Sequence, residues 1–157
     1  AKALADFAGV AHRQERVWLP SMGLTVIDDS YNASPDSMRA AFTTLQMTQA
    51  RGRKLALLAD MWELGPETRR YHYEVGQALG ATDVEVLATV GELAREIARG
   101  AKEAKPALQA ECFDDRFAAA RWLEAQMGPG DLALLKGSNG MRLFDIVEEW
   151  RGREGKD

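Results

Sequence analysis

The chain carries a single cysteine, Cys112, which excludes an intramolecular disulfide and leaves no thiolate cluster for a structural zinc. No run approaches the roughly 18 apolar residues of a membrane span, and the first residues lack the charged and apolar regions of a secretory signal. A reducing cytoplasm is the expected setting. Basic surplus is missing too: 20 Lys and Arg against 24 Asp and Glu leave a net charge of −4, which argues against a nucleic-acid or membrane-surface partner. Several chemical signatures are absent as well. There is no GxxxxGK[ST] loop, no GxGxxG behind an expected strand and no GxSxG, and the only histidines are His12 and His72. The segment KGSNG at 136–140 places its lysine before its glycines, so it is no phosphate loop in another form. No metal site is expected on this chain.

What is present suits one globular domain: 157 residues at 46% hydrophobic content are enough to bury a core. The opening AKALADFAGVAHRQERV reads as the tail of a helix and a linker, so residues 1–13 are expected to be an interdomain hinge, 14–157 the domain, and the whole a piece of something longer. Val17 to Leu19 and Leu24 to Ile27 flank the turn-prone Ser21-Met22-Gly23, which predicts a short antiparallel pair at the domain's edge. The apolar runs Lys54 to Ala59, Val84 to Val90 and Leu132 to Leu135 read as strands covered on both faces, and Gln109 to Phe113 as a weaker strand. Helical patterns alternate with them, over Glu67 to Leu79, Glu92 to Ala104, Asp115 to Met127 and Met141 to Trp150. This alternation predicts an α/β fold: a Rossmann-like, doubly wound, mostly parallel sheet with helices on both faces.

The chain is organised around DDSYNASPDS, residues 28–37. Ser34 fits a helix N-cap, Pro35 the first helical position and Asp36 the first turn, ahead of the apolar positions Met38, Ala41, Phe42 and Leu45. A parallel sheet gathers its carboxyl-end loops on one edge, which brings Asp28, Asp29, Asn32, Asp60, Glu63, Lys136 and Ser138 toward a common crevice. A solvated turn would use the same residue types. Lys136 carries a better functional signal than His72 or Met61-Trp62, because an ammonium is costly to bring toward a buried sheet unless an anion meets it. Met61-Trp62 reads as a loop element or a hydrophobic plug, and His72 as a surface or packing residue, with no nucleophile beside it. The residues alone lead to a polar crevice for an anionic ligand, and a stand-alone nucleotide- or anion-binding module with a regulatory or scaffolding role remains an alternative.

Several stretches in order, HRQE from His12, DDSYNASPDSMRAA, LLADMWELG with His72 downstream, Val90-Gly91 and LLKGSNGM, resemble the C-terminal domain of the Mur ligases. Within that family the likeness is greatest to the branch that adds D-alanyl-D-alanine to UDP-N-acetylmuramoyl-tripeptide. Ser34, Ala59 and Asn139 depart from the usual asparagine, glycine and arginine. The resemblance implies an ATP-dependent acid–amino-acid ligase of peptidoglycan precursor synthesis, working through an acyl phosphate. ATP and Mg2+ would be held mainly by a central domain and UDP by an N-terminal one. The domain alone would be inactive, the protein a monomer, and the crevice, facing the missing central domain, would leave Asp29, Asn32 and Lys136 open to solvent and without partners in this chain. By motif, Arg13, Asp29 and Asn32 would serve ATP. Asp28, Tyr31, Asn32, Ser34, Lys136 and Ser138 would serve the substrates, with Lys136 the candidate catalytic residue.

Overall fold

The computed structural model describes residues 11–154; most of the expected hinge, residues 1–10, lies outside them. Six strands form one sheet in the order β1-β2-β6-β3-β4-β5. The outermost strand β1 (Glu15–Leu19) pairs antiparallel with β2 (Leu24–Asp29) through a turn in which Gly23 takes φ 68°, as the short apolar runs around Ser21-Met22-Gly23 predict. The remaining pairs are parallel, linking β2, β6 (Leu132–Lys136), β3 (Lys54–Ala59), β4 (Val84–Val90) and β5 (Gln109–Phe113). The weak pattern at β5 has a simple cause: it is the other edge and none of its residues is fully buried.

Side chains alternate across the sheet and sort into two cores. Ile27, Leu58 and Leu134 face helices α1 (Pro35–Met47), α2 (Thr68–Gly80) and α3 (Ala94–Ala104), while Val26, Leu57 and Leu135 face α4 (Arg116–Gln126) and α5 (Phe144–Glu154). Continuous apolar strands are therefore required by burial on both faces. Two helix starts differ from the periodicity. α3 begins at Ala94, where the Asp60 carboxylate receives the Ala94 N–H at 2.7 Å. α5 begins at Phe144, because Asn139–Met141 forms a 3-10 turn and Arg142 adopts φ 56°, which no continuing helix allows. None of the helices described is long and apolar enough to cross a membrane.

The topology creates a switch point. β2 runs into α1 on one face and its neighbour β6 runs toward α5 on the other, so the two chains part above the carboxyl ends of adjacent strands.

α2 and α3 cross backbone to backbone through glycines: an added Cβ on Gly76 would stand 2.0 Å from the Ile97 carbonyl oxygen, and one on Gly100 2.2 Å from that of Tyr73. Gly76→Ala should therefore destabilise the fold by on the order of 3 kcal/mol in chemical denaturation. Gly152→Ala, in α5 with nothing within 4 Å of its added methyl, should instead stabilise by about 0.5–1 kcal/mol. Equal effects at the two positions would refute the close-crossing account.

Candidate functional site

The helix behind the crevice starts as its sequence specifies. The Ser34 hydroxyl accepts the Ser37 N–H at 3.1 Å and the Ser37 hydroxyl accepts the Ser34 N–H at 2.8 Å, a reciprocal cap closed by serine, with Pro35 in the first turn. The preceding strand is longer than its apolar run suggests. Asp28 and Asp29 both belong to β2 rather than to the loop, and strand alternation sends their side chains to opposite faces.

That alternation divides the candidate residues. Asp29 turns to the α1 side, where Arg13, Gln14, Asp29, Tyr31, Asn32, Ser34, Ser37 and Lys136 line a cavity of about 420 Å³. Asp28 turns to the α5 side, fully buried, and meets the His12 Nδ1 at 2.6 Å and the Ser30 hydroxyl. It therefore holds the chain ahead of β1 and takes no part in the cavity. Ser138 is also outside it: its hydroxyl accepts the Trp62 N–H at 2.7 Å, tying the loop after β6 to the loop after β3. Asp60 serves the start of α3, and Glu63 stands exposed in a left-handed turn at φ 62°.

Lys136 and Asp29 are directly paired in the β2–β6 register, and their side chains meet at 2.8 Å. Both are buried, at 3% and 6% exposure, which corrects the expectation that they stand accessible and without partners. The Asn32 carbonyl accepts a second Lys136 proton at 3.1 Å, and the other Asp29 oxygen accepts the Gln14 N–H at 3.2 Å. A burial this deep obliges both charges to pair. The ammonium has three protons, and two of them have acceptors among the described residues.

Exposed groups complete the rim. The Arg13 guanidinium stacks over the half-exposed Tyr31 ring at 4.0 Å, and the Asn32 side chain is open to solvent. Residues 12–14 reach this position at a conformational cost, with His12 at φ 64° and Gln14 at φ 48°. Strand ends hold them: the Tyr31 N–H bonds to the His12 carbonyl at 2.8 Å, and the Gln14 N–H to Asp29. Among the described residues His12, Glu15 and Asp28 form the one group close enough to ligate a metal ion, within 4.8 Å of one another. Glu15 is already paired with Arg151, and His12 and Asp28 with each other, so these groups read as a structural cluster.

His72 is a packing residue, one of the two roles the sequence leaves open, but its hydrogen bonds are not legible there. It is fully buried; its Nε2 accepts the Met61 N–H at 2.9 Å and its Nδ1 donates to the Thr68 carbonyl at 2.6 Å, which fixes the neutral tautomer. Burial lowers its pKa, against the opposing pull of the Thr68 carbonyl and the Asp60 charge. Burial likewise raises the pKa of Asp60, against the Ala94 N–H bond. Nothing in a lone histidine on a helix reveals that its partner is a backbone N–H of a loop eleven residues upstream.

Two outcomes follow from these pairings. Lys136→Ala strands a buried carboxylate and should destabilise the chain by about 3–5 kcal/mol, with Asp29→Asn in addition recovering part of the loss; a near-neutral Lys136→Ala would refute the pairing. For His72, the unfolded chain takes up a proton first as pH falls. Its contribution is therefore lost as pH drops from about 6.5 toward the lowered folded value. The melting temperature of His72→Leu should fall less than that of the parent between about pH 7.5 and 5. At neutral pH the variant should be about 1–3 kcal/mol less stable, from the unpaired Met61 N–H.

Residues 12–139 match the family model described as Mur ligase, glutamate ligase domain. A UDP-N-acetylmuramoyl-tripeptide–D-alanyl-D-alanine ligase of Bacillus subtilis is 32% identical over 149 residues, covering 95% of this chain and 32% of the relative. A ligase of the same name from Mycobacterium leprae is 34% identical over 163 residues, covering 94% and 32%. A crystal structure of MurF ligase from Thermotoga maritima in complex with ADP matches with a TM-score of 0.77 at 25% identity, over 98% of this chain and 33% of that one. The chain thus spans about a third of the length of the curated relatives it matches. With a capped helix behind a crevice at the sheet's switch point, and a family match that runs from His12 through the loop after β6, the chain belongs to the Mur ligase family.

Proposed function

We propose that this chain is the C-terminal domain, from about residue 14 onward, of an ATP-dependent ligase that joins D-alanyl-D-alanine to UDP-N-acetylmuramoyl-tripeptide in the bacterial cytoplasm. Residues 1–13 would then be the hinge to a central nucleotide-binding domain, itself preceded by a UDP-binding one. The observation that carries the reading is the make-up of the crevice. It offers a guanidinium on an aromatic ring and a carboxylate–ammonium pair beside a capped helix, yet no glycine-rich loop to cradle phosphates. It is half of a nucleotide site, and it lies on a chain that matches about a third of such ligases.

In this reading the γ-phosphoryl group of ATP passes to the terminal carboxylate of the tripeptide, giving an acyl phosphate and ADP. The dipeptide amine then attacks the acyl carbon, and phosphate leaves as the amide forms. Arg13, exposed and held in place by Tyr31, would meet the phosphates or ribose. Asp29 has acceptor sites beyond those given to Gln14 and Lys136, which suits ribose hydroxyls, with Asn32 beside it. Tyr31, Ser34 and the remaining Lys136 proton would face the dipeptide or the developing charge of the acyl phosphate. Ser138 would act by positioning the loop after β3, and Asp28 by anchoring the hinge. The crevice offers Mg2+ a single carboxylate already neutralised by an ammonium, so the ion would belong with the phosphates on the central domain.

The test is phosphate release. The isolated chain should unfold cooperatively and release none from ATP, while the full-length protein should release phosphate only with both the UDP-tripeptide and D-alanyl-D-alanine present. Turnover by the isolated chain, or none by the full-length protein, would overturn the proposal. In the full-length protein Arg13→Ala should reduce kcat/KM for ATP on the order of ten- to a hundredfold, as for one lost charge-assisted hydrogen bond, with little change in stability.

A further inference from the structure

Trp62 is 49% exposed, one of four large apolar side chains left open among the described residues. Its position is nonetheless tightly specified. Its N–H donates to the Ser138 hydroxyl at 2.7 Å, the neighbouring Met61 is fully buried with its N–H on His72, and the Asp60 carbonyl accepts the Ser138 N–H at 3.0 Å. The six-membered ring of the indole rests on Gly140, where an added Cβ would stand 2.0 and 2.3 Å from two ring atoms. Only a residue without a side chain lets the ring settle there. The backbone is thus fixed from three sides under an aromatic ring that stays half open, so its exposed face is free to meet another apolar group.

The location gives the ring a use. The loop from Gly137 to Gly140 has the crevice-lining Lys136 at one end and the seat of the indole at the other. β6 lies between β2 and β3, so the polar rim of Arg13, Tyr31 and Asn32 and the apolar ring of Trp62 flank this loop on opposite sides. Charged and hydroxyl groups, of the nucleotide and of the reacting carboxyl and amine, suit the first side. The second offers the open face of the indole, beside the exposed Glu63, and Arg142, two residues beyond the glycine seat, is occupied by Asp145 at 2.9 Å. An alkyl group of a small dipeptide can pack on such a face. We infer that Trp62 is a specificity-determining residue of the amine-component subsite, packing against the alkyl groups of the incoming dipeptide. The inference rests on the ligase reading. Because the ring is already fixed, the contact would form with little loss of side-chain freedom.

The experiment is steady-state kinetics of the full-length protein. Trp62→Ala should raise KM for D-alanyl-D-alanine about tenfold or more, the scale of a lost apolar contact, and leave KM for ATP and for the UDP-tripeptide unchanged. Trp62→Phe should restore most of the difference. Gly140→Ala keeps the indole but unseats it, and should reproduce the same selective rise. The loop's backbone bonds to Ser138 and His72 do not involve the indole, so Trp62→Ala should keep its cooperative thermal transition. An unchanged dipeptide KM in Trp62→Ala overturns the inference, as does a joint rise in all three KM values, the mark of a contact between domains. A parent protein that makes no product from D-alanyl-D-alanine would overturn the ligase reading, and the inference with it.

Discussion

The parallel pairing of β2 with β6 is the constraint on which the site depends. It sets Asp29 beside Lys136 in register although 107 positions separate them, and the two buried charges then meet at 2.8 Å. Each would be prohibitively costly alone in so dry a place, so the pair ties the first parallel strand to the last one. The same adjacency puts the sheet's switch point between these strands, because the chain leaves β2 toward one face and β6 toward the other. A single pairing thus fixes the crevice and part of its wall.

A second network gives the neighbouring loop its shape without regular secondary structure. From Asp60 to Trp62 the backbone is held by Ser138 and by the buried neutral imidazole of His72, while the Asp60 carboxylate reaches across to start α3. The loops after β3, β4 and β6 are therefore mechanically one unit. Hydrogen-bond partners replace the periodic ladder that a strand or helix would supply, as buried backbone groups require. The rim around Arg13 is different in kind. It is exposed, reached through two left-handed residues, and held by contacts to the end of β2 and the loop after it. The crevice thus has a buried, mutually paired floor beside a solvent-exposed rim.

The crevice also explains why chemistry was hard to assign from motifs. Its polar groups satisfy one another where they are buried and meet water where they are not, and no nucleophile, base pair or metal set stands ready among the described residues. Such incompleteness is consistent with the proposed ligase, in which the nucleotide site would be shared with a further domain.

The sequence by itself determined the elements that rest on local chemistry and on burial. The apolar runs at Lys54 to Ala59 and Val84 to Val90 had to be covered strands, and Ser34-Pro35-Asp36 had to start a helix; both signals act over a few residues. The stretch DDSYNASPDS was legible as a family mark and as a candidate site, whose two carboxylates the strand divides between opposite faces. Tertiary structure alone decided which neighbour went where. Asp28 and Asp29 look equivalent in the chain, but strand alternation buries one under α5 and turns the other into the cavity. Lys136 looked like an unpaired cation because its partner lies 107 positions away. His72 looked idle because its partner is a main-chain N–H, which every residue but proline carries and no side-chain pattern can mark. Local preferences are encoded residue by residue, whereas the pairing of strands and the filling of buried hydrogen bonds exist only once the chain has folded back on itself.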